Sequence, residues 1–151
     1  MLKSDIKKQL ERSLQTTLQY FDLSQDDLNK RYAEGKWTVQ EILHHLADAE
    51  TVLYERLKRI ISGPVQVLWT FDQDLWCQGL NYKQFPLDIN KDIYRAVRRS
   101  VIYLLDQHYD SKKEQTFIHS KTGMRTLGEE FQKIGWHNEH HLNHIRQALK
   151  S

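Results

Sequence analysis

The chain has a single cysteine, Cys77, which leaves no second thiol for an internal disulfide and excludes a disulfide-stapled scaffold. Its two prolines and six glycines, spread over 151 residues, are few helix breakers, so long uninterrupted helices with few turns are expected. No apolar run approaches the ~18 residues of a membrane-spanning helix, so none is expected. Residues Met1 to Lys8 lack the apolar core of a secretory signal, and cytoplasmic residence is the default expectation. Charge of one sign is also lacking. The formal net charge is +2 with both signs interspersed, and no Lys/Arg cluster alternates with aromatics, which argues against nucleic acid or a membrane surface as partner.

The composition that remains is that of a globular chain, 39% hydrophobic, 28% charged and 11% aromatic. Its length suits a single domain over residues 1–151, long enough to bury roughly 70% of the unfolded surface.

Hydrophobic spacing divides the chain into four long amphipathic helices. The first is expected from Lys3 to Leu23, with Ile6, Leu10, Leu14, Leu18 and Phe21 inward. Residues 24–36 read as a polar connection with a short helical turn in Gln25 to Tyr32. The second helix opens at Thr38, where Thr38 and Glu41 have capping-box spacing. It runs to Ile61 on a stripe of Val39, Ile42, Leu43, Leu46, Ala49 and Leu53, and Ser62-Gly63-Pro64 stops it. The third is expected from Asn90 to about His108, burying Ile93, Val97, Val101 and Leu104. The fourth starts from a second capping box, Thr126 to Glu129, and continues to the C-terminus. Between the third and fourth, Thr116 to His119 and Met124 around Gly123 suggest a small β-like turn. Residues 62–88 show no clear period but are rich in apolar and aromatic side chains, with a short helix at Asp74 to Gly79. They read equally as a plug for one end of the helices or as a wall over a binding site. Four long helices with one long crossover make an all-α four-helix bundle.

Four of the eight histidines lie between His137 and His144 on the last helix. At about 100° per residue, Leu127, Ile134, His141 and Ile145 share one stripe, and His137 lies roughly 40° to its side. Two imidazoles at i and i+4 can hold one metal ion, the geometry of H-E-x-x-H zinc sites. Taken singly, each reads more readily as a hydrogen-bonded core histidine, and only as a pair at ligand spacing do the two readings stand level. Bundle metal sites draw on facing helices, so a third ligand has to come from another element. On the second helix, His44 points about 160° from Leu46 and is expected in solvent, whereas His45, about 100° away, can reach inward.

Two segments carry a family resemblance. Trp37-Thr38-Val39-Gln40-Glu41-Ile42-Leu43-His44-His45-Leu46-Ala47-Asp48-Ala49-Glu50 is similar to a tryptophan-started helix ending in His-Leu-Ala-Asp-x-Glu. Trp136-His137, His141 and His144-Ile145 are similar to a last-helix histidine pair. Together they resemble the DinB/YfiT-like superfamily of metal-dependent bundle proteins, which is unrelated to the DNA polymerase sharing the DinB name. The resemblance implies a divalent metal on His45, His137 and His141. His144, at a position where many members carry Gln after Gly, points towards the YfiT-like branch. It also implies two activities, hydrolysis of a small-molecule substrate or S-transfer from a low-molecular-weight thiol of the bacillithiol kind, and a homodimer that pairs helices across subunits.

Three imidazoles leave an open position on a divalent ion, which marks a catalytic rather than a closed structural site. Zinc and nickel both suit such ligands. Glu50, a carboxylate on an apolar face, is the candidate to orient a ligand histidine. His140 and His144 form a second i,i+4 pair nearer the flank, and Cys77 reads as a packed thiol. The competing reading is a catalytically silent bundle that the metal only stabilises.

Overall fold

The computed structural model describes residues 1–151. Six helices and a small sheet follow in order: α1 (Lys3–Tyr20), α2 (Gln25–Leu28), α3 (Val39–Ser62), β1 (Val67–Leu68), α4 (Gln73–Gly79), α5 (Leu87–Lys112), β2 (Thr116–His119), β3 (Gly123–Thr126) and α6 (Leu127–Leu149). The four long helices form the expected bundle: α3 packs on α5 and α6, as does α1, which puts α1 and α3 on opposite corners. No helix is long and apolar enough to cross a membrane.

Local signals set the helix starts. At α3 the Thr38 hydroxyl accepts from the Glu41 N–H while the Glu41 carboxylate accepts from the Thr38 N–H, so two otherwise orphaned donors are satisfied. At α6 only half of the expected box forms: Thr126 Oγ1 accepts from the Glu129 N–H, while Glu129 meets the Thr126 hydroxyl and Arg125. Thr126 is paired with Thr116 across the sheet, so its backbone already belongs to the strand.

Thr116–His119 and Gly123–Thr126 form an antiparallel hairpin, as the small turn in the sequence suggested. Gly123 has φ +84, a conformation that side chains disfavour. The 62–88 segment adds a strand with no periodic signal, β1, parallel to β2 with Val67 opposite Ile118.

Two expectations are corrected. The buried stripe of α5 is Asn90, Tyr94, Arg98, Val101, Leu105 and Tyr109, and Ile93 is exposed. Apolar spacing misjudged that face because four of its members carry polar groups, and three of these, Asn90, Tyr94 and Arg98, are hydrogen-bonded to a neighbouring helix. The helix is also longer than expected, since it starts behind Pro86 and keeps Asn90 in its interior. The second correction is His44, expected in solvent but completely buried. Asn90 Nδ2 donates to His44 Nδ1 at 2.7 Å, and Tyr82 and Phe85 pack their rings on it at 5.3 and 5.4 Å. The crossover covers this side of α3, so Glu41 to Ala47 are all buried and the helix has no solvent face there.

The apolar core falls into two clusters. One, around Leu57, Phe117 and Phe131, lies against the sheet; the other, around Leu46, Tyr94 and Leu142, lies towards Trp37. Along each helix the two are separated by a buried polar side chain: Ser13 on α1, Glu50 on α3, Arg98 on α5 and Asn138 on α6. Arg98 donates to Ser13 Oγ (2.8 Å), to the Leu10 carbonyl (3.0 Å) and to Asn138 Oδ1 (2.7 Å), and it pairs with Glu50. Asn138 in turn donates to Thr17 Oγ1 at 3.0 Å and accepts from Tyr94. Buried charge and amide groups are tolerated only when fully hydrogen-bonded, and this layer ties all four helices in one register.

Candidate metal centre

Helix α3 presents His45 and helix α6 presents His137 and His141, one turn apart on its inner side. The three rings meet edge to face: the centroids lie 5.0 Å apart for His45–His137 and 4.7 Å apart for His45–His141 and His137–His141. One ligand atom from each ring falls within 4.8 Å of the others. His45 Nε2 and His137 Nε2 are 3.0 Å apart, a distance at which two ring nitrogens share one proton or one cation. Tetrahedral ligands at 2.0–2.1 Å from zinc stand roughly 3.3 Å apart, so small ring movements accommodate an ion.

Burial governs the electrostatics. His45 is 1% exposed and His141 is 8% exposed. Desolvation, reinforced by the His137 ring, pushes the His45 pKa down to about 3. Desolvation pushes His137 down to about 4, helped by Lys133, His140 and Arg98, and His141 to about 2, helped by the surrounding histidines. All three rings are therefore neutral near pH 7 and keep a lone pair for ligation. His45 Nδ1 and His141 Nδ1 are buried without a hydrogen-bond partner in the protein. A buried polar atom left unpaired is costly, and a set of neutral, convergent and under-satisfied imidazoles fits a divalent ion.

An aromatic shell encloses the cluster. Trp37, just before the α3 cap, packs on His45 at 5.0 Å and stacks near His141 at 6.4 Å. Phe71 from the crossover stacks on His45 at 6.3 Å, and Trp76 of α4 packs on Phe71 at 4.7 Å. The crossover thus forms one wall of the site. Position 71 could not be found from periodicity, because an irregular segment has none.

His141 also lines an open cleft of about 430 Å³, together with Tyr32, Lys36, Trp37, Asp74, His140 and His144. The site reaches solvent on that side. His140 and His144 face one another with centroids at 4.6 Å, and His144 stacks on Tyr32 at 4.1 Å.

Glu50 stands elsewhere. Its carboxylate is 3% exposed and is taken up by Arg98, not by a histidine ring. The residues missed in the sequence are Arg98 and Asn138, which brace α6 beside His137. Spacings of four and three from Asn90 through Tyr94, Arg98 and Val101 would have marked Arg98. Cys77 is buried, donates to Glu41 Oε2 at 3.2 Å, and is pushed up to about 12 by burial and by the Glu41 carboxylate. Its thiol is therefore packed and held in the protonated form.

The comparisons with known proteins agree with this architecture. The sequence pattern of the DinB superfamily matches residues 9–145. One protein of Oceanobacillus iheyensis is 32% identical over 141 residues, covering 93% of this chain and 80% of the relative. A second from the same organism is 28% identical over 129 residues, covering 85% of this chain and 74% of the relative. Both bear the provisional name of metal-dependent hydrolase. YfiT from Bacillus subtilis, described as a probable metal-dependent hydrolase with an unusual four-helix bundle topology, superposes with a TM-score of 0.88 at 23% identity, covering 98% of this chain and 86% of that one. That likeness shows the shared fold, and the pattern match spanning nearly all of the chain shows the family: this protein belongs to the DinB superfamily.

Proposed function

We propose that the protein is a metal-dependent hydrolase of a small-molecule substrate, with the ion held by His45, His137 and His141. The observation that carries this reading is the convergence of three neutral imidazoles within 4.8 Å, one of which also lines the 430 Å³ cleft. A divalent ion there, zinc or nickel by ligand type, would supply Lewis acidity for polarising a carbonyl or for lowering the pKa of a water. The chain's own residues prepare the site. Trp37 and Phe71 exclude water from the His45 side, while His141 keeps the ligand set open towards the cleft. The cleft offers Lys36, Tyr32, Gln73 and Asp74 to bind and orient a polar substrate. The names of the relatives support the hydrolytic reading.

A second reading is S-transfer from a low-molecular-weight thiol. The chain's only thiol is buried and bonded to Glu41, so a sulfur nucleophile at this site would arrive as co-substrate. Ligation deprotonates thiols, and the same three histidines would serve.

The test is metal content by mass spectrometry on untagged protein, wild type beside His141→Ala, followed by ester, amide and thiol-transfer assays. About one equivalent of zinc or nickel, lost in the variant, is expected. No metal in either protein after reconstitution would overturn both readings and leave a catalytically silent bundle.

A further inference from the structure

Outside the three-histidine cluster, α6 carries a second pair of imidazoles, and we propose that His140 and His144 form a second, solvent-facing site for a divalent first-row metal ion. The argument begins with geometry. His137 and His141 have ring centroids 4.7 Å apart at an interplanar angle of 72°; His140 and His144 repeat this at 4.6 Å and 71°. Both pairs are separated by one helical turn, the spacing that lets two side chains of one helix face the same ion.

Pre-organisation is the second observation. The His140 ring stacks on Trp136 at 5.2 Å and 15°, and the His144 ring stacks on Tyr32 at 4.1 Å and 7°. Each imidazole is thus held from one side by an aromatic plane, and less side-chain freedom remains to be lost on ligation. Neither ring takes part in a side-chain hydrogen bond within the protein, so ligation displaces no partner except water.

The setting is the third. Both rings line the same cleft as His141, and Asp74, which lines it too, offers a carboxylate. His141 stands 5.2 Å from His140 and 5.6 Å from His144, so the imidazoles form an unbroken series from solvent to the buried cluster. Lys36 lines the cleft as well, and its charge opposes a cation. Two protein ligands beside an ammonium group make a weaker site than three buried imidazoles. Imidazole pairs favour nickel, copper and zinc over the oxygen-seeking magnesium and calcium.

The experiment is calorimetric titration of Ni2+ into chelator-treated protein: wild type, His140→Ala/His144→Ala, and His45→Ala. Far-UV circular dichroism checks the fold of each. Two classes of binding are expected in the wild type. The double variant should keep the tighter class and lose the weaker one, and His45→Ala should keep the weaker. A wild type that shows the tighter class alone, or a double variant that still binds the weaker equivalent, would overturn the proposal. The double variant decides alone, because its substitutions are outside the core. Absence of the tighter class from the wild type, with the weaker still removed by the double variant, would overturn the three-histidine reading and uphold this one.

Discussion

Arg98 grips the Glu50 carboxylate with two nitrogens, Nε at 2.8 Å from Oε2 and Nη2 at 2.9 Å from Oε1, in the interior of the bundle. Breaking such a buried pair from one side strands a charge, at a cost of about 3–5 kcal/mol. Glu50→Ala is therefore expected to lower the urea midpoint strongly, or to prevent folding. Glu50→Leu combined with Arg98→Met should recover part of the loss, and only part, because Ser13 and Asn138 lose a donor. An unchanged midpoint for Glu50→Ala would contradict the pairing.

The buried histidines make stability depend on pH. Burial depresses His44 to about 4, His45 to about 3, His137 to about 4 and His141 to about 2, from an ordinary value of 6.5. Below 6.5 the unfolded chain takes up protons that the folded chain refuses, so stability rises with pH in this window. The contribution is complete above pH 6.5 and is lost progressively as pH falls below it and through the folded-state values, from about 4 down to about 2. Thermal melts of metal-free protein should show a Tm declining across that range, with a shallower slope in His45→Ala. A flat profile would mean that these rings are not neutral in the core.

Cys77 should be inert in the native state. Its thiol is pushed up to about 12, and thiolate is the reactive form. Ellman's reagent is expected to react slowly with native protein and rapidly in denaturant, and Cys77→Ser should retain the metal content of the wild type. Fast native reaction would contradict the buried thiol–carboxylate contact.

Thr38→Ala removes the acceptor for the Glu41 N–H at the start of α3. Loss of a cap costs about 0.5–2 kcal/mol. Urea denaturation should register a shift of that size, with metal stoichiometry unchanged.

Phe71→Ala opens the aromatic wall against His45. Release of metal to a chelator should accelerate, by roughly tenfold if the wall matters as much as other groups surrounding metal ligands do. An unchanged release rate would show that the crossover does not shield the site.

How much of this was legible in the sequence varies with the range of the interactions. Helices, caps and the hairpin follow from short-range rules: spacings of three and four, a threonine three residues before a glutamate, a glycine with positive φ. The pairing of His137 with His141 is equally local, since one helical turn brings them together. The long-range placements depended on what a neighbouring element supplies. His44 is buried because the crossover folds over it, and no property of residue 44 encodes that. Arg98 is in the core because Glu50 waits on another helix to neutralise it. Glu50 itself, read as a partner for a ligand histidine, spends its lone pairs on Arg98. The sequence by itself determined which segments are helical, which helical faces seek burial and which three histidines are candidates to share an ion. Only the tertiary structure decided which polar side chains are buried and with whom. A polar group enters the core only where its partner is already in place, and the packing of helices distant in sequence sets that partner.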